Sequence, residues 1–274
     1  MNCKKPIEID IQGHRGCRGL LPENSLPAFK KAVELGVNTL ELDLAISKDK
    51  QVVVSHEPFM NHLICMDTEG NYIQEEDETK YNFYQMEYDS IKQFDCGSKY
   101  FERFPEQEKV KVYKPLLSEV FELSEELNPY IKYNIEIKSR PDYDTVFTPE
   151  PQEFVSLVLK VIDDYNVFER VNLQSFDVRV LEEIKKQSPI IKIALLVDEN
   201  ESINDKLSTL SFKPEIISPY FKLLTQENVE VYQKEGFQII PWTVNDINDM
   251  NTMVNLKVDG IITDYPDRLL EILN

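Results

Sequence analysis

The chain has 274 residues, a hydrophobic fraction of 42% and a charged fraction of 29%. These values are typical of a folded globular protein with a sizeable core, so they argue against intrinsic disorder. The formal net charge of −19 at pH 7 argues against nucleic acid and anionic membranes as partners, because like charges repel.

The cysteines and the N-terminal segment bear on the cellular compartment. Cys3, Cys17, Cys65 and Cys96 show neither Cys-x-x-Cys nor zinc-site spacing. The N-terminus lacks the apolar region of a signal peptide, and no stretch approaches the roughly 20 apolar residues of a membrane span. We therefore expect reduced thiols, a cytoplasmic location and no stable association with a membrane.

Short runs rich in Ile, Val and Leu alternate with longer amphipathic segments along the chain. The short runs predict strands at residues 7–13, 39–46, 52–56, 133–137, 171–174, 190–197, 215–218, 238–243 and 260–263. The amphipathic segments predict helices at residues 25–35, 116–127, 152–165, 178–186, 225–234 and 246–254. Asp177 and Asp246 stand where N-caps are expected, and Gly36 where a C-cap is expected.

This alternation predicts βα units around a parallel sheet, and its length suits a (β/α)8 TIM barrel. A Rossmann-type doubly wound sheet is the alternative, but Gly-x-Gly-x-x-Gly does not follow the first strand. The link between residues 46 and 52 is too short for a parallel crossover, so we expect distortion near the second and third strands. The polar segment 58–114 is interpreted as an insertion over one face of a single catalytic domain, residues 1–274, rather than as an independent core.

Two of the three histidines end predicted strands. His14 follows the first strand, and His56 ends the third. In a barrel, the carboxyl ends of the strands converge on the face that holds the active site. We predict that His14 and His56 are catalytic, whereas His62, in the insertion, is expected to be structural.

Acidic residues alternate with apolar residues on two other strands. Glu41 and Asp43 face the same side of one strand, and Glu136 and Lys138 share a side of another. Adjacent carboxylates repel unless a cation or a proton lies between them, and carboxylate oxygens suit Mg²⁺ or Ca²⁺. Glu136 is a candidate third ligand and Lys138 a candidate phosphate contact. A simple ion pair between these two is the alternative.

Four more residues are candidates for the same face. Arg15 is a planar cation suited to phosphate. Glu23 lies just outside the face and is a candidate to reach the metal or the substrate. Trp242 ends a strand and is interpreted either as a wall of the pocket or as a core residue, and Asp264 as an N-cap or turn residue.

Ordered sequence blocks resemble the glycerophosphodiester phosphodiesterase family. They are GHRG at 13–16, PENS at 22–25, ELD at 41–43, VVSH at 53–56, IEIK at 135–138, QSF at 174–176, WTVN at 242–245 and DGIITDYP at 259–266. The resemblance spans nearly the whole chain in the family's order. It implies a TIM barrel related to phosphatidylinositol phospholipase C, with an insertion after the second histidine.

The resemblance also implies a reaction, the hydrolysis of glycerophosphodiesters to glycerol 3-phosphate and an alcohol, with one divalent ion, Mg²⁺ or Ca²⁺. By position it implies metal ligands at Glu41, Asp43 and Glu136 with support from Glu23, an acid–base pair in His14 and His56, and phosphate contacts at Arg15 and Lys138. The nucleophile is either water at the metal or the glycerol 2-hydroxyl, and the sequence leaves both open.

The sequence departs from the family pattern at three places. Glu57 stands where Asp usually follows the second histidine, Ser25 replaces a usual Thr, and Lys50 replaces a usual turn Gly. We expect Glu57 to tune activity. The alternatives are a phospholipase-type or other phosphodiesterase on the same scaffold, or a non-catalytic protein that binds a phosphate or sugar. The predicted partner is a small-molecule glycerophosphodiester, and the oligomeric state is not predicted.

Overall fold

The computed structural model describes residues 9–273. Residues 7 and 8 of the first predicted strand, and Cys3, therefore lie outside the described residues. Within this range the strands are β1 (Asp10–Gly13), β2 (Thr39–Ile46), β3 (Val52–Val54), β4 (Lys132–Ile137), β5 (Val171–Ser175), β6 (Lys192–Val197), β7 (Ile216–Pro219), β8 (Gln238–Ile239) and β9 (Gly260–Thr263). The helices are α1 (Leu26–Leu35), α2 (Tyr88–Ile91), α3 (Leu117–Leu127), α4 (Pro151–Asp164), α5 (Val178–Gln187), α6 (Ile203–Leu207), α7 (Gln226–Lys234), α8 (Ile247–Leu256) and α9 (Pro266–Leu273).

The strands form a barrel in which all neighbours except β3 run parallel. Their spatial order is β8-β7-β6-β5-β4-β2-β1-β9. Backbone bonds close the ring between β9 and the segment of β8, where Ile262 N–H donates to the Pro241 carbonyl at 3.0 Å and Asp259 N–H to the Ile239 carbonyl at 2.9 Å. The predicted TIM barrel is confirmed.

The predicted distortion lies between β2 and β3. These strands pair antiparallel, with Leu44 opposite Val54 and Ile46 opposite Val52. The hairpin therefore projects one extra strand from the barrel wall, next to the carboxyl end of β2. This places the residues that follow β3 beside the active-site face.

Alternation along β2 separates two environments. All eight residues of β2 are buried. Leu40, Leu42 and Leu44 belong to the main apolar cluster, which also contains Phe29 of α1 and Phe121 of α3. Full burial of each leucine contributes about 1.5–3 kcal/mol. The register that buries these leucines against the helices turns Glu41 and Asp43 to the other side of the strand.

The helix boundaries follow the caps expected from the sequence. Asp177 accepts from the N–H of Arg179, and Asp246 from the N–H of Asn248. Gly36 has φ 93° at the end of α1, a left-handed conformation that glycine adopts without strain. The sequence prediction omitted the C-terminal α9 and the short helices α2 and α6, and the last two offer too few turns for a clear 3.6-residue pattern.

The segment 58–114 covers the β2–β3 hairpin. Its apolar side chains form a cluster of their own, joined by Ala45 of β2 and Val53 of β3. The cluster is completed by residues of the hairpin, so it is not independent of the barrel. We retain the division into one domain with an insertion at 58–114 as a proposal, supported by packing of the cluster on the hairpin.

The expectation of reduced cysteines is wrong for one pair. Cys65 and Cys96, 31 residues apart, form a disulfide within the insertion. Sequence spacing did not predict the pair, because the fold of the insertion brings the two residues together. Disulfides are typical of oxidising compartments, so the expected cytoplasmic location loses this support and stays a prediction. None of the helices within residues 9–273 is long and apolar enough to span a bilayer.

Candidate active site

A cavity of about 250 Å³ opens at the carboxyl ends of the strands. In a barrel this is the face where side chains from different strands converge. The cavity is lined by His14, Arg15, Arg18, Glu41, His56, Arg103, Glu136, Lys138, Gln174, Phe176, Leu196, Trp242, Thr243 and Ile262. Seven of the nine site residues predicted from the sequence line it directly, and Asp43 and Glu23 lie behind its wall.

Three carboxylates meet beside the cavity. Glu41, Asp43 and Glu136 are buried, and one oxygen of each lies within 4.8 Å of the others. Asp43 and Glu136 are direct neighbours in the parallel register of β2 and β4. Burial, and then the charges of Asp43 and Glu136, raise the pKa of Glu41 well above its ordinary value. Burial also raises the pKa of Glu136 to about 7, although Lys138 opposes the shift.

Asp43 differs from the two glutamates because cations surround it. Burial alone would raise its pKa, but Arg15 and Lys138 outweigh burial and hold the pKa well below the ordinary value. Arg15 Nε lies 3.1 Å from Asp43 Oδ2, and Asn24 Nδ2 donates to the same oxygen at 2.8 Å. Asp43 is therefore an anion even before any metal binds.

Two buried oxygens at this cluster accept no hydrogen bond from the described part of the chain. They are Asp43 Oδ1 and Gln174 Oε1. Gln174 Nε2 donates to Glu41 Oε1 at 3.0 Å, so its own oxygen is held next to the carboxylates. Buried oxygens without a hydrogen bond are costly, even though Lys138 Nζ lies 3.5 Å from Asp43 Oδ1, and an all-oxygen donor set suits a hard divalent ion. The residues fit Mg²⁺ or Ca²⁺.

Each of the two predicted catalytic histidines donates its Nδ1 proton to a carboxylate. His14 pairs with Asp264 Oδ1 at 2.6 Å, and His56 pairs with Glu57 Oε1 at 2.6 Å. A carboxylate on Nδ1 fixes the tautomer and leaves Nε2 free. Nε2 of His14 lies 3.8 Å from Glu41 Oε2, beside the acidic cluster.

Both histidines are neutral at pH 7. Burial is the main cause that lowers the pKa of His14 to about 4, with Asp264 opposing it and Arg18 adding to it. Burial, followed by the charges of Arg15 and Lys138, lowers the pKa of His56 to about 4. Neutral imidazole is the form that accepts a proton from a nucleophile.

The cations of the site are mostly paired with acids. Arg15, whose φ of 51° turns the chain after β1, donates from Nη1 to Glu23 Oε1 at 2.8 Å. Lys138 donates to Glu136 Oε1 at 2.9 Å. Glu23 lies behind Arg15, outside the three-carboxylate cluster. Burial would raise the pKa of Glu23, but Arg15, Arg18 and other cations lower it to about 2.

Aromatic side chains form part of the cavity lining. Trp242 donates its Nε1–H to the Ser218 carbonyl at 2.8 Å, and its ring meets that of Phe176 edge-on at 5.4 Å. Both residues line the cavity. Trp242 is therefore fixed in place by a hydrogen bond while one side of its ring faces the site.

A second cavity, of about 370 Å³, adjoins the first. It shares His56, Glu136, Lys138 and Phe176 with the first cavity and adds a lining that includes Tyr143. His56 therefore stands between two spaces. A phosphodiester carries one substituent on each side of phosphorus, and two adjoining spaces can accommodate them.

The structure corrects the interpretation of Asp264. This residue is fully buried and accepts from His14, from Arg18 Nε at 2.9 Å and from Asn245 Nδ2 at 2.7 Å, instead of capping a helix or a turn alone. It follows β9, so the strand-end rule that identified His14 applies to it too. Arg18 and Arg103, which also line the cavity, lie in loops where no sequence pattern indicated them.

His62 is distant from this set. It donates from Nδ1 to Glu78 Oε2 at 2.6 Å within the insertion and is not among the residues that line the cavity. Its geometry agrees with the expected structural role.

Comparison with known proteins gives one consistent family. The model described as the glycerophosphoryl diester phosphodiesterase family matches residues 14–268. The chain is 34% identical to a glycerophosphodiester phosphodiesterase of Caldanaerobacter subterraneus subsp. tengcongensis, over 96% of this chain and 97% of that protein. It is 28% identical to a glycerophosphodiester phosphodiesterase of Bacillus subtilis, over 97% of this chain and 87% of that protein.

Solved structures are similar over the same length. A protein of Silicibacter pomeroyi DSS-3 assigned as a glycerophosphoryl diester phosphodiesterase superimposes with a TM-score of 0.89 at 29% identity, over 98% of this chain and 94% of that one. A phosphodiesterase of Oleispira antarctica, solved in complex with the product sn-glycerol-3-phosphate, gives a TM-score of 0.75 at 20% identity, over 96% of each chain. At that identity the second likeness concerns the fold.

Proposed function

The chain belongs to the glycerophosphoryl diester phosphodiesterase family, and from this premise we propose that its glycerophosphodiester phosphodiesterase activity combines one divalent metal ion with two histidines. The substrate is a small glycerophosphodiester, and the products are glycerol 3-phosphate and an alcohol. The single observation that carries the proposal is the arrangement of one cavity. It brings His14 and His56, each paired with a carboxylate, next to the buried cluster of Glu41, Asp43 and Glu136.

Glu41, Asp43 and Glu136 would hold the metal ion. When bound, the ion neutralises these carboxylates and stabilises the negative charge that develops on the phosphate. Gln174, whose Oε1 has no hydrogen-bond donor within residues 9–273, orients Glu41 through its Nε2. Mg²⁺ and Ca²⁺ both suit such an oxygen set.

Arg15 and Lys138 bind the phosphate and fix its orientation. Both border the cavity, and both contact Asp43, Arg15 at 3.1 Å and Lys138 at 3.5 Å. A phosphate between them therefore lies close to the carboxylate cluster. Glu23 keeps Arg15 extended toward the site through the 2.8 Å ion pair, which makes Glu23 a supporting residue.

The two histidines move the protons. One neutral imidazole accepts the proton of the nucleophile through Nε2. The other histidine first takes up a proton from solvent and donates it to the leaving alkoxide, and the first histidine then returns its proton to solvent. The carboxylates of Asp264 and Glu57 stabilise the imidazolium form of each ring when it is present. Proton transfer of this kind contributes roughly 10²–10⁴-fold to the rate.

The test is an assay of soluble glycerophosphodiesters that detects released glycerol 3-phosphate. Glycerophosphocholine, glycerophosphoethanolamine and glycerophosphoserine are supplied with Mg²⁺, with Ca²⁺ and with excess chelator. The proposal predicts turnover that disappears in chelator and returns with metal. Full activity in chelator would remove the metal from the mechanism. Exclusive turnover of intact phospholipid vesicles would instead favour a phospholipase-type enzyme.

A further inference from the structure

The insertion contributes one residue to the lining of the first cavity, Arg103. The charges of Arg18 and Arg15 act on its guanidinium, so it lies near these two arginines. Within residues 9–273 its guanidinium has no hydrogen bond and no ion pair, and it lies over the ring of Phe104, with Cζ 5.5 Å from the centroid. A cation therefore faces the cavity without an ion pair, and the charges of Asp264 and Glu23 act on it only at longer range.

The other cations of the cavity differ from Arg103 in this respect. Arg15 pairs with Glu23 and Asp43. Arg18 pairs with Asp264 at 2.9 Å, and Lys138 pairs with Glu136. A carboxylate partly neutralises each of these three cations, so each cation attracts an incoming anion less strongly. The chain has 49 acidic and 30 basic residues, so acidic partners for an arginine are plentiful. An arginine that lines the active site without an ion pair is therefore a candidate to bind an anionic ligand.

The backbone beside Arg103 is attached to the loop that follows β1. Phe104 is 3% exposed, with Arg18 Cζ 4.9 Å from its ring centroid. Gln107 Nε2 donates to the Arg18 carbonyl at 2.6 Å, and Glu108 N–H donates to the Leu20 carbonyl at 2.9 Å. The position of Arg103 relative to His14 is thus fixed by packing and by hydrogen bonds rather than by a free loop.

We propose that Arg103 binds a phosphate oxygen of the substrate, so that the insertion forms part of the substrate site. The inference rests on the proposed function and deepens it. A guanidinium donates two parallel N–H bonds to phosphate oxygens, and Arg103 retains all of its donors for this use. Burial, and then the charge of Arg18, lower the pKa of Arg103, yet arginine stays protonated in proteins.

Two anionic groups of a substrate could bind Arg103. One is the phosphate that every glycerophosphodiester carries, and the other is a second anionic group on the alcohol. We favour the phosphate because Arg103 lines the same cavity as Arg15, the proposed phosphate contact, and is near enough for the charge of Arg15 to act on it. Glycerophosphoserine and glycerophosphoethanolamine separate the two sources, since they differ only by one carboxylate.

The first experiment measures binding of sn-glycerol 3-phosphate by calorimetry in the presence of Mg²⁺. This ligand has the phosphate but no alcohol substituent. We expect R103Q to raise the Kd roughly 10-fold or more, and R103K to raise it less, because lysine keeps the charge but not the paired donors. K109Q is the matched control. It removes one positive charge from the same segment, where Lys109 lies over the Tyr100 ring outside the cavity, and it should leave the Kd unchanged.

The second experiment compares kcat/KM for the two diesters. We expect R103Q to lower both by the same factor, roughly 10- to 100-fold, with an unchanged unfolding midpoint. Loss confined to glycerophosphoserine would overturn the phosphate assignment, as would unchanged binding and turnover. An equal loss of kcat/KM in K109Q would show that the effect of R103Q arises from net charge alone. That result would also overturn the phosphate assignment. If the wild-type protein binds glycerol 3-phosphate through Arg103 but hydrolyses neither diester, the proposed function fails and this inference stands.

Discussion

Asp264 accepts the Nδ1 proton of His14 at 2.6 Å, although 250 residues separate the two in the chain. The contact joins the end of β1 to the end of β9, which are adjacent in the barrel. The two oxygens of Asp264 also accept hydrogen bonds from Arg18 and Asn245. One carboxylate therefore sets the tautomer of a histidine and neutralises an arginine at the rim of the cavity.

D264N tests this relationship. The variant keeps an oxygen for His14 but loses the charge that stabilises imidazolium, so kcat should fall by roughly 10²- to 10³-fold with little change in KM. N245A is the matched control, because it removes a different hydrogen bond of Asp264 and spares His14. A kcat within twofold of wild type in D264N would show that the pair does not assist catalysis.

Variants of Glu57 test whether the family's usual Asp can be replaced by Glu at the position after His56. Its longer side chain reaches His56 Nδ1 at 2.6 Å, so the extra methylene does not prevent the contact. We expect E57Q to lower kcat by roughly 10- to 100-fold through loss of charge. E57D should also lower kcat, since the shorter chain withdraws the carboxylate from the ring. An E57D variant as active as wild type would indicate that the local backbone, and not the side-chain length, sets this pair.

The acidic cluster makes stability depend on pH in the metal-free protein. Burial raises the pKa of Glu136 in the folded state to about 7, whereas the unfolded value is about 4.3. Its contribution to stability is therefore complete below the unfolded pKa and is lost as the pH rises through about 7, by about 1–3 kcal/mol. Glu41, whose pKa is also raised, acts in the same direction.

Urea unfolding in chelator at pH 5.5 and pH 8 measures this loss. We expect the wild-type protein to be less stable at pH 8, and E136Q to show a smaller difference because glutamine does not ionise. Added Mg²⁺ should stabilise the wild-type protein at pH 8 and have little effect on E136Q. The same pH difference in both proteins would contradict the assignment of this linkage to the cluster.

The disulfide yields a separate prediction. Alkylation of unfolded, unreduced protein should modify Cys3 and Cys17 and spare Cys65 and Cys96. The double variant C65S/C96S should lose about 2–4 kcal/mol of unfolding free energy, because the bond closes a long loop in the unfolded chain. Modification of all four cysteines would show that the bond is absent in the purified protein.

Elementary rules on strands predicted much of the site. Alternation placed Glu41 and Asp43 on one side of β2, and convergence of strand ends brought His14, His56 and Glu136 to one cavity. These side chains follow from sequence because a strand's period and the burial of its leucines fix which way each residue faces.

The rest of the site depends on contacts that no local pattern encodes. Asp264 resembled a turn residue because its partner, His14, lies at the other end of the chain. Arg103 depends on how Phe104 packs against the loop after β1. The Cys65–Cys96 pair depends on the fold of the insertion, whose polar sequence carries neither helical nor strand periodicity.

The most direct test of the central claim is the rate at which H14N and H56N release glycerol 3-phosphate from glycerophosphoethanolamine at saturating Mg²⁺. Asparagine keeps an N–H donor for Asp264 or Glu57, so the fold and the metal-dependent rise in unfolding midpoint should persist. We predict that each variant loses more than roughly 10³-fold in kcat, given the contribution of proton transfer. A kcat within tenfold of wild type in either variant would contradict the assignment of that histidine to the chemistry.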